Sequence, residues 1–313
     1  MTPDWAALAA AAAPNLLPWA AWVAACAAIA ALMPPALDAA LRRKHRAVAE
    51  AFRRRIARLE ETERSFAAEE PSRAGADWRW ARDMAELARL GKVEPWMREE
   101  LVRVKVVDPG EAPARELDVD EGRWSFPASP GRRALLALSA AALSAAALAP
   151  VLLGQADPAA AGAATSAMCL LLTAGCALDL RARVLPWQLC AAAAPLSALC
   201  ALAVRGPGAL PECAAVGLAA FAVLLATSRL AGALGHAGGI GGGDLRLIPW
   251  AAAPCGAQGI LAGAAAGCAV TFAWAAALVL LGRRGKGSGY LAFAPALTVL
   301  FATGLAFPAL AAA

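Results

Sequence analysis

Beyond Arg133 this 313-residue chain carries only four acidic side chains: Asp157, Asp179, Glu212 and Asp244. A charge at the centre of a bilayer costs roughly 2.5–3.5 kcal/mol, so a membrane domain strips its charges to the ends of spans or keeps a few for function. The contrast with the preceding stretch is sharp. From Arg42 to Arg133 the chain holds 21 Lys/Arg and 18 Asp/Glu, the mixture of a water-soluble module. With 60% apolar residues overall, the composition excludes an ordinary soluble enzyme. The expected fold is therefore an all-α polytopic membrane protein of about eight transmembrane helices, with a small α+β cytoplasmic module after the first.

A spanning helix needs about 20 apolar residues. Leu16–Met33 meets this, closed by Pro34-Pro35, and residues 1–40 read as the first span region. No basic leader or cleavage site precedes it, which predicts a retained span rather than a removed signal peptide. The basic clusters Arg42–Arg46 and Arg53–Arg55 then mark the cytoplasmic side of a cell inner membrane. Further spans are expected at Ala134–Leu153, Ala159–Leu178, Trp187–Val204 and Cys213–Ser228, then Ile260–Leu281 and Leu291–Ala312. Leu245–Gly256, at 12 residues, reaches only about 18 Å against a hydrocarbon core of about 30 Å. It fits as a short or broken crossing beside a wet cavity.

The module Leu41–Arg133 has an apolar stripe at Val48, Phe52, Ile56 and Leu59, and another at Trp80, Met84 and Leu87 ending at Gly91. Val102, Val104 and Val106 alternate with Arg103 and Lys105, which predicts a strand. No catalytic constellation lies in it. The net charge of +5 sits mostly beside apolar segments, as topology determinants and not as a nucleic-acid footprint. The eight cysteines lie at irregular spacing inside apolar runs without a Cys-x-x-Cys pair, so no metal site, disulfide scaffold or cofactor is expected.

This topology puts Asp179 and Asp244 at the same membrane face, each followed two residues later by arginine, Arg181 and Arg246. Two carboxyl groups in a partly dry cavity cannot both ionise cheaply. One keeps a proton, and the pair can hold a water, take its proton and protonate a leaving group. Around Asp244 the chain reads Gly-x-Gly-Asp (Gly241–Asp244), where glycines allow a tight turn and close approach of a peptide. Around the other aspartate it reads Asp179-Leu180-Arg181-Ala182-Arg183-Val184-Leu185-Pro186. The lone His236 lies eight residues before Asp244 and reads as a bystander; His45 belongs to the basic cluster.

Together these two segments resemble the signature of the type IV prepilin peptidases, membrane aspartic proteases with an aspartate seven residues before a proline and a later Gly-x-Gly-Asp-x-Lys-Leu. Asp179 and Pro186 match the first part; Gly241, Gly243, Asp244 and Leu247 match the second, with Arg246 in place of lysine. Ala292–Leu297 is similar to the family's Pro-Phe-Gly-Pro segment. The resemblance covers roughly Ala134–Ala313. It implies that Asp179 and Asp244 are catalytic, that Gly241, Gly243, Pro186, Arg181 and Arg246 shape the loops, and that the reaction is leader cleavage from prepilins or pseudopilins at the cytoplasmic membrane face. Family members that methylate the new N-terminus carry paired Cys-x-x-Cys motifs in the first cytoplasmic segment. Leu41–Arg133 contains no cysteine, so zinc and methyl transfer are not expected.

Two other readings remain. Presenilin and signal-peptide-peptidase proteins share Gly-x-Gly-Asp, but their first aspartate follows a tyrosine within a span, where this chain has Leu178. A transporter or pilus-assembly scaffold could use the glycine loop as a broken helix, and would call for more polar residues in mid-span.

Overall fold

The computed structural model describes residues 5–66, 75–89, 93, 95–104, 106–107, 124–182, 184–233, 242–280 and 294–312. All regular structure among them is helical. In chain order the helices are α1 (Trp5–Ala12), α2 (Leu16–Leu32), α3 (Pro34–Phe66), α4 (Gly75–Arg89), α5 (Pro95–Arg103), α6 (Pro130–Ala147), α7 (Ala149–Leu152), α8 (Pro158–Ala182), α9 (Trp187–Arg205), α10 (Leu210–Ala233), α11 (Gly242–Ala252), α12 (Gly256–Leu280) and α13 (Ala294–Ala312). They fall into two compact units, divided at Leu37/Asp38 and again at Ser125/Phe126.

The first unit is a helix bundle. Among the described residues six stretches are long and apolar enough to cross a membrane: Ala9–Leu32, Pro158–Ala182, Trp187–Arg205, Pro207–Leu230, Gly243–Ala277 and Ala294–Ala312. Leu138, Leu218, Leu261 and Phe272 stand exposed on the bundle's outside. Water would penalise such a surface, whereas hydrocarbon accepts it. The fold is that of a polytopic helical membrane protein.

Two of the expected spans take a different form. Ala134–Leu153 divides into α6 and the one-turn α7, where Leu148 leaves helical geometry (φ −87°, ψ 12°) ahead of Pro150. Arg132 and Arg133 occupy the first turn of the 18-residue α6, which keeps it outside the six apolar stretches, yet it packs on α2, α8 and α13. The stretch Gly243–Ala277 in turn contains a reversal. Asp244 opens it at the Asp179 end of the bundle; a 3-10 turn (Ala253–Cys255) and Gly256 at φ +67° then break the helix at the opposite end. There the Ala257 N–H donates to Glu212 at 2.8 Å, and Glu212 pairs with Arg205 at 2.5 Å. From that point α12 returns antiparallel to α13. A Cβ on Gly259, Gly263 or Gly267 would meet the backbone oxygen of Gly304, Leu300 or Ala296 in turn. Small residues at four-residue spacing let the two backbones touch, the usual source of attraction between helices in lipid.

The second unit is helical too. Phe52, Ile56 and Leu59 of α3 are buried, at the positions the periodicity picks out. On α4 the buried residues are Ala81, Ala85 and Ala88, with Trp80 and Met84 half-buried and Leu87 exposed, so the inward face is rotated one position from the predicted stripe. Gly91 lies outside the described residues. The strand expected at Val102–Val106 is absent: Val102 belongs to α5 and Val104 to the turn that ends it. Leu101, Val104 and Val107 are buried instead, a spacing of three that suits a helical end and not a pleat. Arg103 pins α5 to α3, reaching Glu60 at 2.5 Å and Glu100 at 2.8 Å. His45, assigned to the basic cluster, stacks its ring on Trp124 at 5.0 Å with Trp96 edge-on at 6.1 Å.

Candidate active site

Asp179 lies one turn from the end of α8, the most buried of the long apolar helices. It is 8% exposed, among the few buried polar side chains of the bundle. Burying a carboxylate requires a donor. One is supplied by the backbone N–H of Ala294, which donates to Asp179 Oδ2 at 3.1 Å. Ala294 is the first residue of α13, so its N–H is one of the amides that a helix start leaves without an intrahelical acceptor. Pro295 follows and has no N–H to offer, which leaves Ala294 to make the contact.

Asp244 comes from the other side. It sits in the first turn of α11, where the amides and the helix dipole favour a carboxylate. Its side chain is half-buried, and Oδ1 is shut away from solvent with no hydrogen-bond partner among the described residues. A buried carboxylate oxygen without a donor is uncommon in a folded protein. A Cβ on Gly175, one turn before Asp179 on α8, would lie 3.8 Å from the Leu247 side chain of α11. Residues 65 positions apart in sequence therefore lie at the same end of the bundle, on α8 and α11, with α13 bracing the first.

The connection from α8 to α9 closes the site from a third direction. Pro186 is the residue that precedes α9, at φ −59° and ψ 137°, and its carbonyl accepts the Leu189 N–H at 3.1 Å. This turn lays Leu185 directly on Gly243, where any Cβ would stand 2.8 Å from the Leu185 Cβ. The thiol of Cys190 reaches the Gly243 carbonyl at 3.8 Å. Gly243 is thus required by the close approach of the Asp179–Pro186 loop, an intramolecular neighbour that its motif does not reveal. The two sequence segments touch each other.

Of the remaining expected site residues, Arg246 is exposed on α11 and Arg181 is half-buried near the end of α8. Gly241 and His236 lie outside the described residues. Leu247 is buried beneath the site and packs toward Gly175. The sequence did not reveal the contacts of Ala294, Leu185 and Cys190; Leu185 lay inside the Asp179–Pro186 segment and Ala294 inside Ala292–Leu297, and nothing pointed to Cys190. The eight cysteines are all free thiols, and six of them are buried. Among the described residues no cluster of three His, Cys, Asp or Glu could hold a metal. No family model, no curated protein and no solved structure matches this chain.

Proposed function

We propose that this protein is a membrane-embedded aspartic endopeptidase of the prepilin-peptidase type, which removes the leader of type IV prepilins or pseudopilins at the cytoplasmic face of the inner membrane. The observation that carries the reading is the position of Asp179 and Asp244, two of the four acids beyond Arg133, at the same end of the bundle. In this reading the bundle crosses eight times: α6 adds one crossing, and the reversal at Ala253–Gly256 divides Gly243–Ala277 into two. The site end is then cytoplasmic, since Arg132, Arg133, Arg181 and Arg246 all belong to it.

The chemistry follows from two carboxyl groups sharing one water. One, as carboxylate, takes a proton from the water while its oxygen attacks the scissile carbonyl. The other, as acid, protonates the carbonyl oxygen, and a proton then passes to the leaving amine. Asp179, held by the Ala294 N–H, is the more fixed of the two; Asp244 keeps Oδ1 unengaged, which suits it to hold the water. The helix start of α11 adds a favourable field for charge at Asp244.

The reading is tested by complementation. In a bacterial host lacking its own prepilin peptidases, the wild-type chain restores conversion of prepilin to the shorter mature form on immunoblots. Asp179→Asn and Asp244→Asn chains, present in the membrane at equal amounts, leave the prepilin uncleaved. Full processing by either variant removes the assignment.

A further inference from the structure

Between α6, α8, α12 and α13 lies a cavity of about 410 Å³ that neither Asp179 nor Asp244 lines. Leu136 and Leu143 of α6, Leu180 of α8 and Val299 of α13 make its walls. Leu135 and Val270, which also line it, are exposed, so the cavity reaches the outer surface of the bundle. Arg132 at the start of α6 and Arg181 at the end of α8 line it as well. From Arg132 to Leu143 it follows α6 for about 16 Å at 1.5 Å per residue. It is an apolar groove with both its cations at one end.

We propose that this groove holds one anionic phospholipid, with the phosphate between Arg132 and Arg181 and an acyl chain along the leucine wall. The argument is charge complementarity joined to polarity. Two guanidinium groups suit the bidentate recognition of a phosphate. Basic pockets between transmembrane helices at the membrane boundary are recurrent headgroup sites. Among the described residues no carboxylate pairs with Arg132, whose guanidinium donates to the Pro127 carbonyl at 3.2 Å and lies 5.7 Å from the centre of the Phe126 ring. Away from the arginines the lining is mostly hydrocarbon, with the Ser139 hydroxyl, the Cys176 thiol and two hydroxyls that already donate, Thr173 to the Cys169 carbonyl at 2.8 Å and Thr298 to the Pro295 carbonyl at 2.7 Å. A peptide awaiting cleavage would have to reach the two aspartates, and the groove does not include them. The lipid site is independent of the protease reading, although it lies against Pro295, next to the residue whose amide holds Asp179.

The test uses the full-length protein, purified and delipidated in mild detergent, with phosphatidylglycerol and phosphatidylcholine of identical acyl chains added in equal amounts. Native mass spectrometry reads the lipid retained. The wild type is expected to retain one phosphatidylglycerol at least tenfold better than phosphatidylcholine. In Arg132→Gln/Arg181→Gln the ratio falls to near one, while Arg132→Lys/Arg181→Lys keeps part of the preference. Ser139→Phe, which fills the groove without altering its charge, lowers retention of both lipids. Should the double glutamine variant not fold, Arg132→Gln alone lowers the ratio at least threefold. A wild-type ratio near one overturns the proposal, as does a preference that survives the glutamine substitutions in folded protein. Displacement of the lipid by an apolar helical peptide with a single acidic residue, bound tighter through the same arginines, also overturns it and identifies a peptide groove.

Discussion

The backbone N–H of Ala294 donates to Oδ2 of Asp179 across 115 residues of chain, tying the start of α13 to the end of α8. Among the described residues this is the one hydrogen bond to the buried Asp179 carboxylate, and it comes from the main chain, so no substitution at 294 other than proline removes it.

Proline at 294 does remove it. A proline fits the first position of a helix without clash but has no N–H. Loss of a hydrogen bond to a charged group costs about 1.5–3 kcal/mol, tenfold or more in rate if felt in the transition state. Ala294→Pro is expected to insert normally and cleave prepilin at least tenfold more slowly, while Ala294→Ser stays within about threefold of wild type. Initial rates of leader loss, at matched protein levels, check both.

Gly243→Ala is expected to act through Leu185. Its new Cβ stands 2.8 Å from the Leu185 Cβ, closer than real Cβ atoms come, so the Val184–Pro186 turn must move. Overpacking of this kind typically costs about 1–3 kcal/mol. Combining it with Leu185→Gly restores the space. The thermal-unfolding cost of the double variant is expected to fall short of the sum of the singles by about 1 kcal/mol. Strict additivity in detergent-solubilised protein would show that the two positions do not touch.

How much of this was legible in the sequence depends on which forces act locally. The scarcity of acids beyond Arg133 is a property of composition, and it announces the membrane bundle before any contact is known. Asp179 and Asp244 stood out because an acid is costly there, and their motifs suggested the chemistry now proposed. The partner of Gly243 was not, because Leu185 is an ordinary apolar residue whose position depends on the turn before α9. Nor was Ala294, whose contribution is a main-chain amide that every residue but proline owns. The valines at 102, 104 and 106 misled because alternation over five residues is too short to outweigh the burial of Leu101, Val104 and Val107 on a helical turn. The span count was blurred where Arg132 and Arg133 dilute α6 and where a turn of four residues reverses an apolar stretch.

The α12–α13 contact supplies a stability prediction. A Cβ on Gly263 would stand 2.4 Å from the Leu300 carbonyl oxygen, and a backbone cannot yield as a side chain can. Gly263→Leu is expected to lower the melting temperature in detergent markedly, by about 2 kcal/mol or more of stability. Gly131→Ala, whose Cβ meets nothing within 4 Å, serves as the neutral control.

At the opposite end, Glu212 accepts from the Ala257 N–H and pairs with Arg205. The pair is partly exposed, at 28% and 42% for its two side chains, so the ionic part is worth little. Glu212→Gln is expected to cost less than about 1 kcal/mol, since its amide oxygen still accepts at the α12 start, and Glu212→Ala about 1 kcal/mol. Thermal unfolding of the two variants side by side separates the charge from the cap.

Purified wild-type protein, Asp179→Asn and Asp244→Asn, each incubated in detergent with a synthetic prepilin and scored by mass spectrometry for the released leader, test the pairing of the two carboxyl groups most directly. The expected result is a single cut by the wild type and a loss of at least a thousandfold in either variant, with melting temperatures unchanged. A wild type that leaves the leader intact, or one asparagine variant that cuts at the full rate, would contradict a two-aspartate site.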